Sequence, residues 1–246
     1  MSKLPTIPKK FFDMKSEYLP NGKVTLSPFT VGLESLLIQV KDAEDESEKM
    51  DAIRQIIDEC LQTKGVDVDK LPLFIIEEMF IRLRQNSIGE IVEQTYQCNN
   101  TENLPENIKE DICNKVIPVS IDLREFKLIK TEGHTNKIII NEPIGMTFKY
   151  PNMAMAHHIK NGQDDIETII QCIDMIFDAD NVYPASESTH EELLSFWKEL
   201  TLMQKKLIYD KFFTTMPHVH YSKDITCPQC KAIHNIEFNS VQEVFQ

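Results

Sequence analysis

The sequence predicts an α+β fold: a helical body with a small β subdomain assembled from two separated segments. Three observations carry this. Apolar residues recur at helical spacing in residues 31–89 and 151–216, the period falls to two in residues 90–150, and short strands flank Cys227-Pro228-Gln229-Cys230 near the end.

The first thirty residues hold Pro5, Pro8, Pro20 and Pro28, which forbid a long helix. Interleaved with Phe11, Phe12 and Phe29, they read as an extended proline and aromatic arm over residues 1–30, packed on its own body or on a partner. Val31, Leu33, Leu36, Leu37 and Val40 give a first helix, and Ile53, Ile56, Ile57, Cys60 and Leu61 a second. The acidic stretch between them, Lys41 to Lys49, reads as a solvated loop and first helical turn. Asp69 is placed to cap a third helix carrying Leu73, Phe74, Ile76, Phe80 and Leu83.

After Ser87-Ile-Gly89 the pattern alternates, and strands are expected at Ile91 to Cys98, Val116 to Leu123, Lys137 to Ile140 and Met146 to Tyr150. Ile166, Ile169, Ile170, Ile173 and Ile176 then suggest one helical face. Two capping boxes follow, Ser188 with Glu191 and Thr201 with Gln204, each opening a helix. Beyond Met216-Pro217 the chain returns to strands at Val219 to Tyr221 and Ile233 to Phe238. The expected organisation is thus an arm (1–30), a helical body (31–89 and 151–216) and a β-rich, zinc-ribbon-like subdomain (90–150 and 217–246).

With 246 residues, 41% of them hydrophobic and 26% charged, the chain can bury a core without disulfides. Its 26 basic and 39 acidic residues leave a net charge of −13, and no basic block exceeds Lys9-Lys10 or Lys205-Lys206. That balance argues against a sequence-independent phosphate-binding surface. No run approaches ~18 apolar residues, and Met1-Ser-Lys-Leu-Pro5 lacks a signal-peptide core, so a cytosolic protein without membrane contact is expected. Reduced thiols follow, and cysteines there are read first as metal ligands or core residues.

The most specific signal is Cys227-x-x-Cys230. Such a turn lets two thiolates converge on one tetrahedral Zn²⁺ while its backbone N–H groups donate to the sulfurs. It supplies half a site. Cys98 at one strand end and Cys113 before the next could supply the other half, although fourteen residues intervene where two are usual. The expected structural zinc site is therefore Cys98, Cys113, Cys227 and Cys230, joining segments separated by 113 residues; reduced cysteines without metal and a redox pair are the alternatives. The redox pair lacks the following helix N-terminus that would depress a thiol pKa. Cys60 and Cys172, on apolar faces, read as core residues.

No catalytic residue is nominated. His157 and His158 are adjacent and point apart on any regular element, while His218 and His220 share a strand face but lack a third ligand. Glu77-Glu78 and Asp164-Asp165 read as solvated helix faces, and the glycine-rich loops that cradle phosphate are missing from the sequence.

The order of motifs adds a resemblance. A Lys3-Leu4-Pro5 arm, a helix ending Phe80-Ile-Arg-Leu-Arg84, Ser87-Ile-Gly89-Glu90 and a strand into Cys98 come first. Ile121-Asp122-Leu123, the strand from Ile144-Gly145 to Tyr150-Pro151, Ile173-Asp174-x-Ile176, Phe212-Phe213-x-x-Met216-Pro217 and Cys227-Pro228-x-Cys230 follow. This series resembles the baseplate hub assembly proteins of T-even-like contractile-tailed bacteriophages, over nearly the whole chain. The resemblance implies a non-enzymatic late protein that helps build the central hub of the baseplate in the infected bacterium's cytoplasm. Its partners would be other baseplate hub or hub-assembly proteins, with Phe11, Phe12 and Phe29 contributing to the docking surface. Members commonly carry Cys-x-x-Cys in both knuckles, and the long Cys98–Cys113 loop departs from that pattern. The competing readings are a zinc-ribbon nucleic-acid-binding module, for which Lys223 and Lys231 stand against Asp224 and Glu237, and a metalloenzyme using His218 and His220.

Overall fold

The computed structural model describes residues 7–8, 10–43, 46–105, 111–158 and 166–244. It is α+β with antiparallel sheets throughout.

The arm is a hairpin. β1 (Phe12–Lys15) pairs with β2 (Lys23–Leu26) around a turn in which Asn21 and Gly22 both take left-handed φ, 58° and 70°. Prolines exclude a helix here, and the period of two buries Met14, Val24 and Leu26 on one face. The hairpin is stitched to its own body: the Ser27 N–H donates to the Cys60 carbonyl (2.8 Å), and the Tyr18 ring meets Phe74 and Tyr150 edge-on at 5.0 and 5.7 Å.

Three helices follow, α1 (Glu34–Asp42), α2 (Glu46–Cys60) and α3 (Leu73–Ser87). Asp69 does not cap α3, which starts after Pro72; it pairs instead with Arg54, and Asp67 caps the 3-10 turn Val68–Lys70. The rest of the chain runs β3 (Ile91–Gln97), β4 (Val116–Asp122), β5 (Lys127–Ile129), β6 (Lys137–Asn141), β7 (Ile144–Phe148), α4 (Ile166–Cys172), β8 (Ile173–Phe177) and β9 (Val182–Pro184). It ends with α5 (His190–Glu199), α6 (Leu202–Lys211), β10 (His218–Thr226), β11 (Ile233–Phe238) and α7 (Val241–Val244).

The isoleucine face at 166–176 is a helix only as far as Cys172; Ile173–Phe177 is β8, inserted between β7 and β9. Ile173 and Ile176, three residues apart, match the helical period and would fall on opposite faces of a regular strand, so it is pairing on both edges and not spacing that decides for the strand. The first capping box is shifted by one. Ser-Thr-His-Glu-Glu contains two overlapping boxes, and because α5 begins at His190, Thr189 accepts from the Glu192 N–H while the Glu192 carboxylate accepts from the Thr189 N–H. Thr201 and Gln204 form the second box as read.

Two cores result. The first joins the hairpin, α2 and α3 to Val119, Ile121, Leu123 and Phe126 and to Val219, Tyr221, Phe238 and Val241. The second packs the sheet β6-β7-β8-β9, through Ile138, Met146 and Phe148, against Ile169, Trp197, Ile208 and Phe212. Residues 137–148 thus join the later helices and leave the cysteine-bearing ribbon, and the helices of 31–89 and 166–211 fill separate cores. Tyr150 packs against both, and its hydroxyl lies 2.9 Å from His134 Nε2.

Candidate metal centre

Two hairpins present the cysteines. β3 ends one residue before Cys98 and β4 starts shortly after Cys113; β10 ends one residue before Cys227 and β11 starts shortly after Cys230. Alternation on β4 points Ile117, Val119 and Ile121 inward, so the hairpin lies on the first core with its tip beside the other hairpin, and the Lys223 ammonium donates to the Ser120 carbonyl across the gap (2.8 Å).

The structure brings the four sulfurs together, all within 4.8 Å of one another. Cys98 Sγ lies 3.6 Å from Cys230 Sγ, and Cys113 Sγ lies 3.8 Å from Cys227 Sγ. Thiolates at Zn–S distances of about 2.3 Å on a tetrahedron stand about 3.8 Å apart, so the arrangement fits a four-coordinate ion. Cys98, Cys113 and Cys227 are buried and Cys230 is half-buried, with Tyr96, Leu104, Ile117 and Ile225 packed around them.

The long first loop does not spoil the knuckle. In the compact turn the Cys227 N–H donates to the Ala232 carbonyl (2.8 Å), the Lys231 N–H donates to the Cys227 carbonyl (3.1 Å), and Lys231 has φ 64°. In the other hairpin the Cys98 N–H donates to the Lys115 carbonyl (2.8 Å), the Asn114 N–H donates to the Cys98 carbonyl (3.0 Å), and Asn114 has φ 52°. The two frameworks match bond for bond. The Cys113 N–H donates to the Asn100 carbonyl (2.9 Å) and closes the insertion at its base, so the second cysteine arrives where a two-residue spacer would put it.

Electrostatics divide the thiols. Burial pushes Cys98 up to about 12 and raises Cys113. Burial also opposes ionisation of Cys227, but N–H groups of Cys230 and Gln229, together with the neighbouring Cys230 and Cys98 thiols, outweigh it and bring it down to about 7. One sulfur is therefore poised as a thiolate, and a divalent cation would displace the protons held by the others.

Sequence reasoning missed His234. Its Nε2 lies 3.1 Å from Cys98 Sγ, and its Nδ1 lies 3.4 Å from the Tyr96 hydroxyl. The signal was the Cys230-x-x-x-His234 spacing, which puts this ring on the inner face of β11 opposite Ile225.

The remaining candidates lie elsewhere. His218 and His220 have ring centroids 6.3 Å apart, with Nδ1 atoms directed at the Met216 carbonyl and the Asn239 side chain. His157 closes a 3-10 turn with His158, and both side chains, like Asp164 and Asp165, lie outside the described residues. Glu77 and Glu78 are half-buried and not on a solvated face: α3 is covered on several sides, and burial pushes Glu77 up to about 7 despite a hydrogen bond from the Val241 N–H. Glu78 is 14% exposed beside Arg82. Phe11 is 56% exposed, whereas Phe12 and Phe29 pack against the first core, Phe29 with its ring 5.9 Å from that of Phe80. Cys60 and Cys172 are buried core residues.

A family model described as T4 bacteriophage base plate protein matches residues 12–246, from β1 through the C-terminal segment. The chain belongs to that family. No curated protein matches it, and no solved structure does. The base plate family confirms the phage tail resemblance seen in the sequence and covers both hairpins that carry the cysteines. Among the described residues of this base plate protein, no helix is long and apolar enough to cross a membrane.

Proposed function

We propose that this base plate protein is a non-enzymatic assembly factor that promotes building of the baseplate central hub in the infected host's cytoplasm, through contacts with other hub or hub-assembly proteins. The family match over residues 12–246 carries the reading. An excess of thirteen negative charges works against the nucleic-acid alternative. Phe11, the exposed member of the aromatic trio, is the residue of the arm best placed to dock.

The four-cysteine cluster is read as a structural zinc site. Four sulfur donors leave no open coordination position for water, and a sulfur-only tetrahedral set suits zinc over magnesium or calcium. The metal would fix the β3–β4 hairpin to the β10–β11 hairpin and so hold one rigid surface for assembly.

The deciding experiment is infection with phage lacking this gene, followed by sedimentation of tail intermediates. Loss of the hub with accumulation of peripheral baseplate parts, restored by the intact gene, is the expected result. Normal hubs with another part of the baseplate missing would reassign the protein within that structure.

A further inference from the structure

We propose that His234 is a positioning residue of the metal centre, donating Nε2–H to the Cys98 sulfur and so linking the two hairpins through the ligand shell. This rests on the zinc reading given above. A metal-bound thiolate only accepts hydrogen bonds, so the nitrogen 3.1 Å from Cys98 Sγ must be the protonated one. A neutral ring then leaves Nδ1 as an acceptor. The Tyr96 hydroxyl, 3.4 Å away, is the donor that fits; it stands at the same distance from Asn99 Oδ1, its competing acceptor. The rings of Tyr96 and His234 lie 5.0 Å apart, which holds the imidazole in place.

The need for such a donor follows from charge. Four thiolates and one Zn²⁺ carry a net −2, in a chain that is already at −13. Backbone N–H groups of Asn100, Lys115, Gln229 and Cys230 serve the sulfurs of Cys98, Cys113 and Cys227. Cys227 receives two of them and Cys98 one. His234 completes the pair on Cys98, and it comes from β11 whereas Cys98 follows β3, so the bond crosses the interface that the metal itself spans. Outer donors of this kind tune metal affinity by roughly 10–100-fold.

The test uses the full chain loaded with zinc or cobalt(II), comparing wild type with His234→Phe, His234→Gln and Tyr96→Phe. Readouts are metal per chain, the sulfur-to-cobalt charge-transfer band, and the rate of zinc transfer to a chromophoric chelator. A hydrogen bond lowers the energy of the sulfur lone pairs. His234→Phe should therefore keep one metal per chain, move the band to longer wavelength and release zinc about tenfold faster. His234→Gln, whose amide can donate, should recover part of both changes. If His234→Phe fails to fold, Tyr96→Phe carries the test with a smaller shift in the same direction, and an unshifted band there overturns the assignment. A metal-loaded His234→Phe with wild-type band and release rate overturns it too, as does a glutamine variant no better than phenylalanine. Wild-type protein that takes up neither ion overturns the zinc reading itself, a distinguishable failure.

Discussion

Gly145 and Phe177 are partners across β7 and β8, and the Phe177 ring lies over the glycine so closely that a Cβ there would fall 2.3 Å from its Cζ. The Ile138 carbonyl, 2.8 Å from the same point, closes the other side. Gly145→Ala must displace both, and is expected to destabilise the fold by about 1–3 kcal/mol. Urea unfolding of Gly145→Ala, Phe177→Ala and the double variant checks this: the double variant should recover only part of the loss, because the carbonyl remains.

Glu77 gives the fold a pH dependence with a definite sign. Its folded pKa is raised to about 7 from 4.5, mainly by burial, so between those values the folded chain keeps a proton that the unfolded chain has lost. Its contribution to stability is greatest below about pH 4.5, falls as pH rises through about 7, and then levels off. Glu77→Gln should flatten that slope and stabilise the protein at pH 8 by up to about 3 kcal/mol. Denaturant midpoints measured across the window would show it.

The register of the α5 cap can be tested by truncating hydroxyls. Thr189→Ala and Thr201→Ala each remove a box and should cost about 1 kcal/mol. Ser188→Ala should cost less, since its hydroxyl only donates to the Pro184 carbonyl at 3.3 Å. Equal losses at Ser188 and Thr189 would contradict the assigned helix start.

Metal removal is expected to act locally. Neither large core includes the four clustered cysteines. A chelator should therefore lower the melting temperature and expose four thiols to alkylation, while Cys60 and Cys172 stay protected and far-ultraviolet dichroism changes little. Loss of most helical signal would show that the cores depend on the cluster.

The aromatic arm should separate by position. Phe29→Ala and Phe12→Ala remove side chains packed on the first core and should reduce stability by about 1–3 kcal/mol. Phe11→Ala should leave thermal unfolding unchanged and weaken co-sedimentation with baseplate intermediates. Unchanged co-sedimentation would move the docking surface away from the arm.

Much of this was legible in the residues, for identifiable reasons. Long periodic stretches such as Ile53 to Leu61 read correctly because burial of one helix face repeats over several turns. Cys227-x-x-Cys230 was legible as a tight turn that converges two sulfurs because its hydrogen bonds are local. β1, β2, β5 and β9 were not, since strands of three or four residues offer too few alternations and gain their identity from partners distant in the chain. His234 was hidden for a related reason: its role is defined by Cys98, 136 positions away. Glu77 looked solvated because nothing in its own helix shows that the C-terminal segment reaches it, whereas the pairing of Glu78 with Arg82 is an i, i+4 contact within α3.

The clasp also determines how the molecule would bear load. Cys113 and Cys227 lie 114 positions apart, and the whole second core is strung between them. With a metal bound across the sulfurs, tension applied between the N-terminal hairpin and the C-terminal strand would pass from one knuckle to the other and bypass that core. The intervening sheet and helices would sit on an unstressed side branch, free to hold a neighbour while the chain on either side is pulled.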